Sequence, residues 1–535
     1  MANDRSAVYD QPSAATVTHD EPPPRLEGPP GNGKTFFGHP RGLSTLFFTE
    51  MWERFSYYGL RPLLVLFMTA ALAEGGFGFD RPSASAIVGI YAACVYLASL
   101  PGGWIADRLL GLRRAIFLGA VLISLGHISI GLSGFAHSKV PFFVGLILIV
   151  LGTGLLKPNI SAIVGDLYPE GGARRDAGFS IFYMGINTGS FFGQIITGVL
   201  GEKVGWHWGF GAAGAGMLIG LFSYWLFAGR TLGSIGMEPS RDPDPTVQRR
   251  QENRVKLSVG VGLGVLALVV ILAGIGAITL NPQAIGKSMT YVLVGIAVVY
   301  FAYLFTFGHL TGDEKRRIAV IFVLFVFAAI FWGAFEQAPT SLNLFARDFT
   351  NRNMLGFEVP ALWFQSINSL FIIVFAPVFA ALWVGMDKRG LELSSPAKFA
   401  LGLAMAGTGF ALMIIPANSI VSSAGAIKVS AWWLTISYFF QTLGELSLSP
   451  VGLSSMTKLS PRKYVGQMMG IWFLAASVGN LIAGLVGGSV DPEKLDQTPA
   501  LFTWTAVALF AAAALCGLLA IPIRKMMQEV PGQGR

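Results

Sequence analysis

Seven ionisable side chains fall inside stretches of sequence that are otherwise apolar: Glu50, Glu53, Arg54, Arg61, Lys157, Glu336 and Glu445. A charge at the centre of a membrane span costs at least ~2.5–3.5 kcal/mol on insertion scales, so each one marks a candidate functional site. Four of them crowd into one segment. Spacings of three, four, seven and eleven put Glu50, Glu53, Arg54 and Arg61 near one helical face, with Tyr57 and Tyr58 between them. The seven comprise four acids and three bases, one negative charge from balance, so a single proton would neutralise the set. A carboxylate that loses its cationic partner in a dry site takes up a proton, and one that regains the partner releases it. Such a set fits a proton-coupled carrier. A static set of ion pairs serving specificity remains the alternative. For Glu50 and Glu53, a place at the cytoplasmic membrane surface is a second alternative.

The elements that must position these residues follow from composition. The chain has 535 residues, of which 53% are hydrophobic and only 13% charged. A soluble protein carries about a quarter charged residues. Low charge with 66 glycines and 41 phenylalanines suits helices that face lipid and approach one another closely. The net charge of +8 reads as basic loops at a membrane surface and not as a nucleic-acid patch. Runs of about 20 apolar residues suffice to span the hydrocarbon core. They predict an all-α polytopic fold with fourteen spans near 43–70, 84–106, 114–135, 141–163, 177–200, 207–229, 255–280, 288–309, 317–345, 361–385, 397–416, 430–457, 467–488 and 501–523.

Lysine and arginine are distributed unevenly between the loops. Arg81, Lys139, Lys203, Lys287, Arg347, Arg352, Lys428 and Lys494 fall on one side, and nearly all the rest on the other. The asymmetry predicts that both termini of this multi-pass protein are cytoplasmic; the expected place is the plasma (inner) membrane. A basic linker, Arg230 to Lys256, and a charged link, Asp313 to Arg317, bracket two spans. The predicted units are a disordered cytoplasmic tail (1–40), a six-helix bundle (41–230), the linker with two accessory lipid-exposed helices (231–315), a second six-helix bundle (316–525) and a short cytoplasmic tail (526–535). Gly28-Pro29-Pro30-Gly31-Asn32-Gly33-Lys34-Thr35 matches a phosphate-loop pattern. It sits among prolines without the strand and helix that the mechanism needs, and reads as accidental. Cys94 and Cys516, both in apolar runs, offer neither a disulfide framework nor a metal motif. His127, alone in its span, reads as a packed side chain. No nucleophile–base pair, cofactor motif or metal cluster stands out, which argues against an enzyme.

Two six-helix halves resemble the major facilitator superfamily, whose substrate site lies at the midplane between halves that rock against each other. Gly103, Asp107, Arg108, Gly111, Arg113 and Arg114 follow that superfamily's loop signature. More specifically, Glu50-Met51-Trp52-Glu53-Arg54-Phe55-Ser56-Tyr57-Tyr58-Gly59 is similar to the E-x-x-E-R-F-x-Y-Y-G motif of the proton-dependent oligopeptide transporters. Gly152 to Asn159, Phe182 to Gly189, Phe331-Trp332 with Phe335-Glu336-Gln337, Gln365 to Asn368, Gly444-Glu445-Leu446 and Ile471-Trp472-Phe473 resemble further motifs of that family. The two accessory spans are also usual in its bacterial members.

The resemblance implies symport of di- and tripeptides with protons by a monomer needing no cofactor. It implies a pairing of Arg61 with Glu336 near the outside, of Lys157 with Glu445 towards the cytoplasm, and a coupling cluster of Glu50, Glu53 and Arg54. Chemically this suits a zwitterion: Arg61 and Lys157 would take a peptide carboxylate and Glu445 the amine. Asn187 and Asn368 would bond the peptide backbone, and Tyr57, Tyr58, Tyr96, Trp332 and Trp472 would line side-chain pockets. For each aromatic alone, core packing is at least as good a reading. The sequence departs from the family in having Ser369 where proline is usual, which leaves the bend of that helix open, and in having Tyr91 and Tyr96 but no histidine in the second span. Plant relatives carry nitrate with related motifs, but a nitrate site needs no amine partner, and Glu445 argues against it.

Overall fold

The computed structural model describes residues 35–528 apart from 137, 170–171, 241–242, 355 and 392. The phosphate-loop match, most of the N-terminal tail and most of the C-terminal tail lie outside the described residues. Among the described residues fifteen α-helices succeed one another: α1 (Arg41–Thr69), α2 (Arg81–Ile105), α3 (Leu112–Ala136), α4 (Val140–Asp166), α5 (Gly172–Val199), α6 (Trp206–Thr231), α7 (Pro245–Gly274), α8 (Pro282–Phe307), α9 (Gly312–Phe335), the short α10 (Asn343–Asp348), α11 (Trp363–Lys388), α12 (Ser395–Ser422), α13 (Trp432–Leu459), α14 (Val465–Gly487) and α15 (Gln497–Gln528). Without α10 these are the fourteen long helices foreseen from the apolar runs. Several begin at side-chain caps. Asp80 accepts from the Ser83 N–H, Asn281 from that of Ala284, and Thr311 with Glu314 forms a reciprocal capping box.

Helices α1–α6 pack into one bundle, and α9 with α11–α15 into a second. The bundles meet mainly where α2 crosses α14 and α5 crosses α11. Of the two accessory helices, α8 lies against α2 and α14, whereas the apolar stretch of α7 buries none of its residues. Eleven helices among the described residues are long and apolar enough to cross a membrane, and α1, α5 and α13 are not among them. Those three carry most of the polar side chains of the central cavity, which explains their lower hydropathy.

Glycine makes the helix crossings close. A Cβ on Gly89 would lie 2.7 Å from the Asn480 carbonyl oxygen, and one on Gly189 of α5 would lie 2.0 Å from the Met51 carbonyl oxygen of α1. Backbone cannot retreat as a flexible side chain can, so only glycine permits these contacts. Gly189→Val is therefore expected to separate α1 from α5, costing more than the ~1–3 kcal/mol usual for overpacking. Size-exclusion chromatography in mild detergent should show aggregation or loss of the monodisperse peak; a wild-type profile would contradict the close approach.

Three expectations are corrected. Residues 35–40, foreseen as part of a disordered tail, form a tight turn in which Phe36 and His39 pair through their backbones. His39 bonds the Tyr168 hydroxyl (2.8 Å) and Phe36 packs on Phe47 (5.5 Å), so two aromatic anchors hold what composition alone would release. The basic linker is partly helical, because α7 starts at Pro245, capped by Asp244. The ninth span does not run unbroken to residue 345. It stops at Phe335, continues as a wide turn over Ala338–Leu342 and resumes as α10, and Pro339 in that turn supplies no backbone N–H to an ongoing helix.

Candidate functional site

On α1 the helical repeat does what the spacing requires. Arg54 Nε lies 3.2 Å from Glu50 Oε1 and is also bonded by Glu53, so one guanidinium serves two carboxylates, all three of them buried. One and two turns further on, Arg54 and Arg61 bracket the tyrosine pair, with Arg54 5.1 Å above the Tyr57 ring and Arg61 5.9 Å above that of Tyr58. These cation–π contacts satisfy charge where water is scarce. Arg61 then crosses to the other bundle, its Nη1 lying 2.8 Å from Glu336 Oε2 at the end of α9.

That bridge is the innermost of a series on one face of the protein. Arg81 reaches Asp348 (2.6 Å) and Asp491 (3.8 Å), Arg352 reaches Glu202 (3.1 Å), and Lys203 reaches Glu358 (2.8 Å). Glu202 also accepts the backbone N–H groups of Ala361 and Leu362 just ahead of α11 (2.9 and 3.1 Å). The hydrogen bond from Lys203, aided by the charge of Arg352, holds the Glu358 carboxyl below its ordinary value. Among the described residues, every ion pair that joins the two bundles lies on this face.

Behind the tied face lies a central cavity of about 220 Å³ between the bundles. Its walls include Glu50, Arg54, Tyr58, Arg61, Tyr96, Lys157, Asn187, Trp332, Glu336, Asn368 and Glu445, so eleven residues singled out in the sequence converge on one space. Both bundles bring charge to it, Glu50, Arg54, Arg61 and Lys157 from the first and Glu336 and Glu445 from the second.

Four expectations meet a different geometry. Lys157 and Glu445 form no ion pair. The Lys157 ammonium sits 4.3 Å from the Tyr96 ring, which stacks on Phe473, and Glu445 accepts from Asn368 Nδ2 (3.1 Å). Tyr57 turns away from the cavity to stack on Tyr91 (6.1 Å), since neighbours on a helix point about 100° apart and Tyr58 already takes the cavity side. Glu53 is likewise behind the wall, against Arg54. Trp472 is not in the wall either, because its ring fills the space above Gly452, where a Cβ would lie 2.2 Å away. Ser369, in the position where proline was expected, donates to Ser190 Oγ across the bundles (2.7 Å), and α11 continues through it. His127 is a buried packing residue whose Nε2 lies 2.5 Å from Ser56 Oγ.

The structure also adds wall residues to which the sequence reading gave no role: Gln365 and Tyr183, which lie within the quoted motifs, and Gln194, Gln441 and Tyr438, which do not. The signal that could have found the glutamines is the one used for charges, since an uncharged amide inside a span also needs a partner.

A family model described as the POT family matches residues 113–501. The chain belongs to the POT family. The peptide transporter YePEPT of Yersinia enterocolitica is 49% identical over 505 residues, covering 94% of this chain and 98% of the relative. A di-/tripeptide transporter of Lactococcus lactis subsp. cremoris is 39% identical over 518 residues, covering 93% and 98%. Among solved structures, that of peptide transporter POT in complex with sulfate aligns with a TM-score of 0.83 at 40% identity, covering 92% of this chain and 97% of the other. The two bundles are thus the halves of a major facilitator fold, and this POT-family member is a multi-pass membrane transporter, not an enzyme.

Proposed function

We propose that this protein imports di- and tripeptides together with protons by alternating access across the inner membrane, with both termini cytoplasmic. The observation that carries the reading is one cavity lined by cations and carboxylates from opposite bundles, in which Lys157 and Glu445 are not paired with each other, a set that suits the carboxylate and amine of a short zwitterionic peptide. Relatives named for peptide or di-/tripeptide transport support the substrate class. The lysine and arginine asymmetry of the loops favours the tied face as the outside. The present state is then inward-facing: the Arg61–Glu336 bridge closes the outer end, and Lys157 and Glu445, free of one another, are open to peptide. Residues 41–230 and 316–525 act as the rocking units, and α7 and α8 in 231–315 ride on the lipid side.

Coupling follows from sharing. Arg54 is divided between Glu50 and Glu53, so a proton on one carboxylate transfers the guanidinium to the other and alters what Arg54 presents to the cavity. On release inward, Lys157 and Glu445 would pair and draw the inner ends together.

Uptake of labelled dialanine into proteoliposomes tests the reading. Accumulation driven by an inward proton gradient, and abolished when the gradient is collapsed, is the expected result. No dialanine uptake or counterflow by folded protein would sink the peptide reading.

A further inference from the structure

Asn187 and Asn368, expected to bond the peptide backbone, already have their amide nitrogens engaged. Asn187 Nδ2 donates to the Tyr183 carbonyl of its own helix (3.0 Å), and Asn368 Nδ2 donates to Thr442 Oγ1 (3.0 Å) and Glu445 Oε2 (3.1 Å). Unpartnered polar atoms remain on several wall residues, among them Trp332, Tyr438 and Gln441, and on two glutamines that come from different bundles. Gln194 of α5 is 4% exposed and Gln365 of α11 5%, both line the cavity, and Gln194 Oε1 and Gln365 Nε2 have no hydrogen-bond partner in the protein.

The two belong to one place. α5 and α11 run side by side, and two hydrogen bonds fix their register: Ser369 Oγ to Ser190 Oγ (2.7 Å) below, and Trp363 Nε1 to the Ile195 carbonyl (3.1 Å) above. Gln194 falls between Ser190 and Ile195, and Gln365 between Trp363 and Ser369, so both stand on facing segments of this bracketed stretch, one from each bundle. Leaving a buried amide atom unpaired costs ~1–3 kcal/mol. A carboxamide offers both an acceptor and donors whichever way it is turned, so the pair always presents one of each. Its complement is another amide, with a C=O to accept and an N–H to donate.

We propose that Gln194 and Gln365 form an amide-reading subsite at the outer end of the cavity, which selects substrates carrying an amide beyond the first peptide bond. The inference rests on the peptide reading above. Two sources supply the same chemistry: the second peptide bond of a tripeptide, or the side chain of Asn or Gln in a dipeptide.

The test is competition against labelled dialanine counterflow in proteoliposomes by unlabelled dialanine, trialanine, Ala-Gln and Ala-Met, in wild type, Gln194→Met and Gln365→Met. Methionine keeps length and removes the polar atoms, and Ala-Met is the matching control ligand. Losing one such hydrogen bond should weaken trialanine or Ala-Gln by about fivefold or more, while dialanine and Ala-Met stay within about twofold. Loss for trialanine alone assigns the backbone amide, and loss for Ala-Gln alone assigns the side chain. Equal weakening of all four peptides, or none, would overturn the subsite and identify the glutamines as packing. If either Met variant fails to fold, Gln194→Asn and Gln365→Asn, which keep the amide but withdraw it, replace them under the same criteria. Wild type that ignores dialanine would instead defeat the peptide reading itself, so the two failures are distinguishable.

Discussion

Glu53→Gln is expected to lose gradient-driven uptake of dialanine by on the order of 100-fold, the range of a strong coupling between two sites, while peptide counterflow persists. The reason lies in the geometry of α1. Glu53 is 1% exposed, lies behind the cavity wall and touches Arg54, which it shares with Glu50. It has no reach to the peptide, so its loss should spare binding. Glutamine imitates the protonated acid permanently, leaving Arg54 wholly to Glu50, and the cluster can no longer alternate between loaded and unloaded arrangements. Counterflow needs only the loaded carrier to exchange peptide and should survive. Gradient-driven accumulation at the wild-type level by Glu53→Gln would remove this residue from coupling.

Breaking the Arg61–Glu336 bridge should have a comparable effect for a different reason. Both residues are nearly inaccessible, at 6% and 5%. Removing one partner from a buried pair leaves an uncompensated charge and costs ~3–5 kcal/mol. Arg61→Ala and Glu336→Ala are each expected to lower the melting temperature in detergent and to reduce uptake by on the order of 100-fold, given that cost. The charge-swapped protein, Arg61→Glu with Glu336→Arg, restores the pair in reverse and should recover at least part of the stability, giving a coupling energy in the double-mutant cycle. A swap no better than the singles would show that the two act as separate peptide ligands and not as a closing bridge.

Much of this protein is legible along the chain. Fourteen apolar runs became fourteen long helices because a membrane leaves the backbone no alternative to internal hydrogen bonding. That Glu50, Arg54 and Arg61 share a face was likewise fixed by a period of 3.6 residues, which needs no partner to act, although Glu53, expected with them, lies behind the wall. The four charges of α1 already marked it as a helix that faces the interior.

Only the tertiary structure decided how those helices are turned and shifted against one another. Period tells that Tyr57 and Tyr58 point differently, but the packing of Tyr57 on Tyr91 decided which of them meets the cavity. It decided that Arg61 holds Glu336 while Lys157 rests on Tyr96 and Glu445 on Asn368. It also brought Gln194 and Gln365, from different bundles, to facing positions between the two α5–α11 hydrogen bonds. Rotation and register between helices are set by contacts such as Gly189 on Met51 and Gly89 on Gly484, between residues far apart in sequence. A local repeat carries no information about such contacts, because it fixes a residue's direction only relative to its own helix axis.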